Sequence, residues 1–355
     1  MYSTKPVKRI LAFGLIFVIL FTMVGCKNEN IAPDEENIKQ VEVQNQGLNS
    51  ITIKDHLGRQ VTFDEGVERI VSGYYISTSM LIALGLKDKV VGVEANASTR
   101  PIYELAAPAF LDLPSVGTAK DFDLEGTLAL QPDLVILPIR LQDSINTLED
   151  MGVNVIGINP EDMDLLKETL EFIGKATGTE EKAERLMAYY DEKTQKVREI
   201  ADANEGNKNR IYFGGNSDVL STATKRMYQN YMIETAGGEN AADIDDTYWA
   251  VISHEQLISY NPDILVIAPG AKYSKEDVLE DSKLTSIAAI RDNEVYVMPS
   301  TIELWDSPVP SSILGTMWLS SILHPKDYDY EEFIDDVVEF YGEFYNTTIE
   351  REMLN

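Results

Sequence analysis

At 355 residues the chain is long enough for two domains with separate cores, and 44% apolar residues mark it as globular. Its 59 acidic and 30 basic residues leave a net charge of −29, which repels nucleic-acid phosphate over most of the surface. The single cysteine, Cys26, leaves the rest of the chain without thiols to ligate an iron–sulfur cluster.

The amino terminus is set aside from the fold. Lys5, Lys8 and Arg9 precede an apolar run from Ile10 to Val24 that is short for a membrane span. The run ends in Met23-Val24-Gly25-Cys26 and resembles a bacterial lipoprotein signal. That resemblance implies removal of residues 1–25 and diacylglycerol on the Cys26 sulfur, placing the protein on the outer face of the cell membrane. Two acyl chains anchor stably where one does not. Residues 26–50 are polar and lack periodicity, which predicts a flexible tether.

Residues 51–178 read as a first α/β lobe. Ile51–Asp55 and Gln60–Phe63 alternate in polarity around His56-Leu57-Gly58-Arg59, a hairpin signal. Strands are expected at Arg69–Ser72, Lys89–Val93, Asp133–Leu137 and Asn154–Ile158, with a helix from Ser77 to Leu84 and further helical patterns between them. Alternating short apolar strands and helices indicate a mostly parallel sheet covered on both faces.

Residues 179–204 form one long amphipathic helix, with Thr179 at its cap and Glu180 and Glu181 in its first turn. After it the pattern restarts, giving a second lobe over residues 205–355. Strands are expected at Arg210–Phe213, Asp263–Ile267 and Glu294–Met298. Helices are expected at Tyr228–Ala236, Glu255–Tyr260 and Ser311–Leu323. The acidic tail carries Phe333, Val337, Phe340, Tyr341 and Phe344 at helical spacing, a closing helix with a solvated outer face.

An internal repeat ties the halves together. Leu124-Glu125-Gly126-Thr127-Leu128-Ala129-Leu130-Gln131-Pro132-Asp133-Leu134 is matched by His254-Glu255-Gln256-Leu257-Ile258-Ser259-Tyr260-Asn261-Pro262-Asp263-Ile264. In each copy a Glu opens a short helix, Pro-Asp makes the turn and a buried strand follows. The fold expected is α/β, two Rossmann-like lobes joined by a single long α-helix, with a ligand cleft between the lobes.

These pieces, with Asp55-His56-Leu57-Gly58-Arg59, Leu84-Gly85-Leu86-Lys87-Asp88-Lys89-Val90-Val91-Gly92-Val93, Gly174–Gly178 and Ala236-Gly237-Gly238-Glu239-Asn240-Ala241, cover residues 51–325. Together they resemble the substrate-binding lipoproteins of ABC importers, in the helix-linked group that handles ferric siderophores, haem, cobalamin and, in some members, molybdate or tungstate. The resemblance implies capture of an iron complex or cobalamin outside the membrane and delivery to a permease dimer with its ATPase. The oxyanions are the alternative cargo. By position, Glu125 and Glu255 match the two surface glutamates that dock such proteins on permease arginines; otherwise they serve as first-turn charges on their helices.

Ligands in open α/β sheets sit at the carboxyl ends of strands. That rule nominates Tyr74 and Tyr75, the segment from Glu94 to Arg100, Arg140, Asn216 with its neighbours, and the loop Trp305-Asp306-Ser307-Pro308. Tyr248 and Trp249, just before the second docking helix, join them. The indole of Trp305, on a loop stiffened by Pro308 and Pro310, is expected to wall the cleft.

Aromatic faces suit a metal chelate or corrin, and Arg100, Arg140, Lys225 and Arg226 offer charge to an anionic complex. For a bare oxyanion, Ser77, Thr78 and Ser79 at a helix start supply hydroxyls and N–H groups. His56, His254 and His324 are dispersed without metal-ligand spacing, so no protein-held metal or cofactor is expected beyond the Cys26 lipid. A two-lobed enzyme or a sensor lipoprotein is the rival class. The chain has no Gly-x-Gly-x-x-Gly, phosphate loop or serine elbow to support an enzyme.

Overall fold

The computed structural model describes residues 50–354 apart from Glu65, Glu205, Asn207, Asp246 and Ser300. Cys26, the signal segment and nearly all of the tether lie outside the described residues. The first lobe opens with the antiparallel hairpin β1 (Ile51–Lys54) and β2 (Gln60–Phe63). Its sheet holds β3 (Ile70–Ser72), β4 (Val90–Gly92), β5 (Leu134–Pro138) and β6 (Val155–Ile158), all parallel in the order β4-β3-β5-β6. Helices α1 (Tyr75–Ala83), α2 (Pro101–Ala106), α3 (Leu124–Ala129), α4 (Gln142–Asp150) and α5 (Met163–Thr177) connect and cover the strands. Every residue of β3, β5 and β6 is buried, which is why these strands read as unbroken apolar runs.

Gly178 closes α5 in the left-handed conformation, φ +70°, and the chain turns at once into α6 (Glu180–Ala203). Thr179 occupies the cap position, but its hydroxyl pairs with Thr177 and caps no backbone N–H. The helix start therefore rests on Glu180 and Glu181 and on packing. The helix is not a free rod. It lies along α5 on one side and the later helix α11 (Ser312–Leu323) on the other, and Tyr190 at its middle is fully buried.

The second lobe contains β7 (Arg210–Gly214), β8 (Ser221–Ala223), β9 (Glu239–Asn240), β10 (Trp249–Val251), β11 (Ile264–Ile267) and β12 (Val295–Val297). The strand order is β10-β8-β7-β11-β12, with β9 beside the start of β7; β7, β9, β11 and β12 are parallel, and β8 alone of this path runs antiparallel to its neighbours β7 and β10. Helices α7 (Tyr228–Thr235), α8 (His254–Tyr260), α9 (Lys275–Leu279), α10 (Ala288–Arg291) and α11 (Ser312–Leu323) complete it, and α12 (Tyr330–Tyr345) follows.

The closing helix does not stay with the second lobe. It packs on both α11 and α1, and beyond its end the Thr347 hydroxyl donates to the Leu105 carbonyl of the first lobe at 3.0 Å. One continuous apolar cluster runs from Ile53 through α1, α6 and α11 to Leu354, so the two lobes share a core along their back. Smaller clusters fill the outer side of each sheet.

Candidate functional site

The repeat shows how the sequence places its two short helices. Asp123 and Ser253 occupy the same offset, and each caps its helix by accepting an N–H from Gly126 or Gln256. At the other end Gln131 and Asn261 both take positive φ, letting the chain turn into Pro-Asp. Asp133 Oδ2 then accepts from the Glu68 and Arg69 amides, and Asp263 Oδ2 from the Arg210 amide, tying each turn to the start of β3 or of β7. Arg69 and Arg210 return a guanidinium to carbonyls at the ends of α3 and α8. Glu125 and Glu255 are left exposed in the first turns, one per lobe. Backbone N–H contact and Ser253 hold the Glu255 carboxyl below its usual range.

On the first lobe, Tyr74 caps α1 and Tyr75 begins it, immediately after β3. Their rings meet edge-on with centroids 5.2 Å apart. The Arg100 guanidinium lies 4.3 Å from the Tyr75 ring centroid, and that of Arg140 lies 5.0 Å from Tyr74. Four nominated residues thus form one wall, two rings with a cation beside each. Arg100 Nε is buried without a hydrogen-bond partner. Burial pushes the Tyr74 and Tyr75 phenols up, so both stay neutral donors at ordinary pH.

A cavity of about 230 Å³ opens against the Tyr75 and Arg100 side of this wall, with Tyr74 and Arg140 outside its lining. Tyr75, Arg100 and Tyr103 line it from the first lobe, and Gly270, Glu303 and Val309 from the second. A larger hollow of about 640 Å³ lies beside Asn204, Lys208 and His324, where the strands of the second lobe start. Ligands gather at the opposite, carboxyl ends of such strands, so the smaller cavity is the candidate site.

Several nominated residues are placed elsewhere. Trp305 is 1% exposed and packs edge-on against Phe333, with Nε1 donating to the Tyr341 hydroxyl at 3.0 Å. It belongs to the core and does not wall the cleft, because the aromatic face of α12 covers the loop. Ser77, Thr78 and Ser79 are fully buried and committed. Ser77 Oγ reaches the Tyr74 carbonyl, Thr78 donates to Glu94 Oε2 at 2.6 Å, and Ser79 donates to Glu303. They are not free to receive an oxyanion. Lys225 and Arg226 pair with Asp243 and Asp245, which cancels the charge they were expected to offer.

Asn216 is exposed on the loop after β7, where its carbonyl accepts the Lys272 amide. Tyr248 and Trp249 stand at the exposed start of β10, and the Trp249 indole lies so close over Gly215 that a Cβ there would come within 2.9 Å. These three belong to the rim of the second lobe and not to the cavity.

Of two buried acids at the site, Glu94 heads the nominated segment that ends at Arg100, while Glu303 escaped the sequence reading. Glu94 accepts from Thr78 and from the Tyr103 hydroxyl at 2.7 Å, and Glu303 accepts four hydroxyls. Burial pushes both carboxyls up, and the donated hydrogen bonds counter it. Asp306 was named only as part of its loop. Burial raises its carboxyl to about 6, against donation from Gln229.

A family model described as periplasmic binding protein matches residues 70–302. The chain belongs to that family. The molybdate-binding protein MolA of Haemophilus influenzae is 25% identical over 324 residues, covering 83% of this chain and 91% of MolA. YvrC of Bacillus subtilis, an uncharacterized ABC transporter substrate-binding lipoprotein, is 26% identical over 90% of this chain and 99% of its own. A periplasmic solute binding protein from Veillonella parvula shares the fold, with a TM-score of 0.77 at 23% identity over 86% of this chain and 96% of its own. The binding protein is the substrate-binding component of an ABC importer, and its kin are solute-binding transport proteins. Among the described residues no helix is long and apolar enough to cross a membrane.

Proposed function

We propose that this binding protein captures an anionic ligand in the cavity lined by Tyr75 and Arg100, with Arg140 next to it on the Tyr74 ring. The observation that carries the reading is the pair Arg100 and Arg140. Neither joins an ion pair among the described residues of a chain with net charge −29, and Arg100 keeps a buried, unpartnered Nε. A buried donor without an acceptor is costly unless a ligand supplies one. A guanidinium fits carboxylate, catecholate or oxyanion oxygens in a bidentate fork.

The cavity volume, about 230 Å³, lies below the range for drug-sized ligands, roughly 300–1,000 Å³. A corrin is larger and would enter only once the lobes part. A compact anion, either a small ferric chelate or a molybdate-type oxyanion, fits the site as it stands. The likeness to a molybdate-binding protein favours the oxyanion. The exposed rings of Tyr248 and Trp249 favour a chelate, with a ligand large enough to reach the rim once the lobes part.

A thermal-shift and calorimetric panel of molybdate, tungstate, ferric citrate, ferric catecholate, haem and cobalamin tests the reading. At a hundredfold excess over its dissociation constant a ligand stabilises by about 2.7 kcal/mol. The shift should vanish in Arg100→Met and weaken in Arg140→Met. A ligand whose shift survives both substitutions would overturn the anion site.

Glu125 and Glu255 are proposed to dock on a permease served by its ATPase, and Cys26 to carry the lipid that holds the protein at the membrane. The double reversal Glu125→Lys, Glu255→Lys should abolish uptake in cells with ligand affinity unchanged. Loss of affinity would refute the docking role.

A further inference from the structure

Glu303 has no part in the anion wall, yet it stands at the back of the same cavity. It sits on the stretch between β12 and α11 and is buried, 8% exposed. Ser79 of α1 donates to its Oε1. Ser311, at the start of α11, donates to Oε2, as do Tyr345 at 3.1 Å and Tyr341 at 3.3 Å, both on α12. Four hydroxyls from three helices therefore converge on one carboxylate. Of these donors, only Ser79 comes from the first lobe.

Tyr75 and Ser79 are four residues apart on α1 and so lie on one face of the helix. The hydrogen bonds that fix Ser79, to Glu303 and to the Tyr345 hydroxyl that itself donates to Glu303, thus fix the face of α1 that turns Tyr75 toward the cavity. Elsewhere along the shared back of the lobes apolar packing surrounds the polar contacts of Thr347 with Leu105, Tyr190 with Val309 and Pro310, and Lys193 with Asp336, none of which holds α1. Apolar packing is non-directional and tolerates small slides, whereas a carboxylate–hydroxyl bond sets distance and angle.

We propose that Glu303 is a positioning residue of the ligand cleft: through Ser79 it pins α1, and with it Tyr75, to the second lobe and makes this the fixed point about which the lobes move. The relevance to ligand rests on the cavity being the binding site, but the pin itself is measurable without any ligand. Spin labels at Asn146→Cys and Lys283→Cys, both exposed and one on each lobe, report the interlobe distance in the full chain carrying Cys26→Ser.

Two matched truncations separate pinning from plain stability. Ser79→Ala and Ser311→Ala each leave Glu303 three donors; Ser79→Ala also removes the 2.8 Å contact with the Tyr345 hydroxyl, a member of the same cluster, and Ser311 makes no side-chain cap on α11. Both should lower the melting temperature, Ser79→Ala somewhat more because it also loses Tyr345. Ser79→Ala alone should broaden the distance distribution and move its maximum, while Ser311→Ala keeps the parent distribution. If Ser79→Ala superimposes on the parent, or Ser311→Ala broadens as much, the proposal is overturned. Either result leaves the anion panel untouched, so failure of the pin and failure of the ligand reading are told apart.

Discussion

The long helix α6 is fastened to α12 by a buried ion pair whose removal has a computable cost. Lys193 Nζ lies 2.7 Å from Asp336 Oδ1, with the side chains 10% and 9% exposed. Tyr328 donates to the other carboxylate oxygen at 2.7 Å, and Lys196 stands 3.6 Å away. In Asp336→Leu the Lys193 ammonium keeps only Glu339, at 4.0 Å and largely exposed, as a counter-charge. Removing one partner of a buried pair costs about 3–5 kcal/mol. The Lys193 ammonium also rests over the Tyr189 ring at 5.0 Å, which places the expected loss near the lower end, about 3 kcal/mol.

Lys193→Met should cost less, about 1–2 kcal/mol, because Tyr328 and Lys196 still satisfy Asp336. The double variant exchanges the pair for apolar side chains of similar volume and should return to within about 1 kcal/mol of the parent. Urea unfolding at constant m-value reads all three. An Asp336→Leu loss under about 1 kcal/mol, or a double variant equal to the sum of the singles, would refute the argument.

Two further outcomes follow from the site. Trp305→Ala should destabilise by about 3–5 kcal/mol in thermal or urea unfolding, since it empties a packed pocket and strips Tyr341 of its donor. An unchanged stability with lost ligand affinity would return the indole to the cleft wall. Asp306 binds its proton more tightly folded than unfolded, so it adds stability at low pH that is lost as pH rises through about 6. Asp306→Asn should therefore unfold with a flatter pH dependence than the parent between about pH 4 and 6. Identical slopes would show that the carboxyl is not held up by burial.

The parts of the fold legible in sequence are those governed by near neighbours. Buried strands announce themselves as runs such as Leu134–Leu137 because both faces of the sheet are covered. The Glu-to-Pro-Asp repeat was visible because caps, turn and strand start all lie within a dozen residues. Tyr74, Tyr75, Arg100 and Arg140 followed from the strand-end rule alone, and the structure gathers them into one wall.

What failed was set by distant partners. The loop around Trp305 reads as exposed because the residues that bury it, Phe333 and Tyr341, belong to a helix well downstream. Ser79 reads as a free helix-start hydroxyl because its acceptor lies 224 residues away. Lys225 and Arg226 read as free cations because Asp243 and Asp245 return to them only through the β8–β10 pairing. The one local hint for Glu303 was a single acid in the stretch Ile302-Glu303-Leu304-Trp305, a composition that seldom stays in water.

The return of α12 to the first lobe has a consequence for how the molecule is made. The seam between α1 and α6 is closed by α12, so neither half completes its core until that helix has been made. A lobe released early would carry an uncovered apolar groove of the kind that recruits chaperones or aggregates. The two halves, alike in architecture and built from one repeated pattern, are therefore not independent folding units. They mature together, and their unfolding should be a single cooperative event.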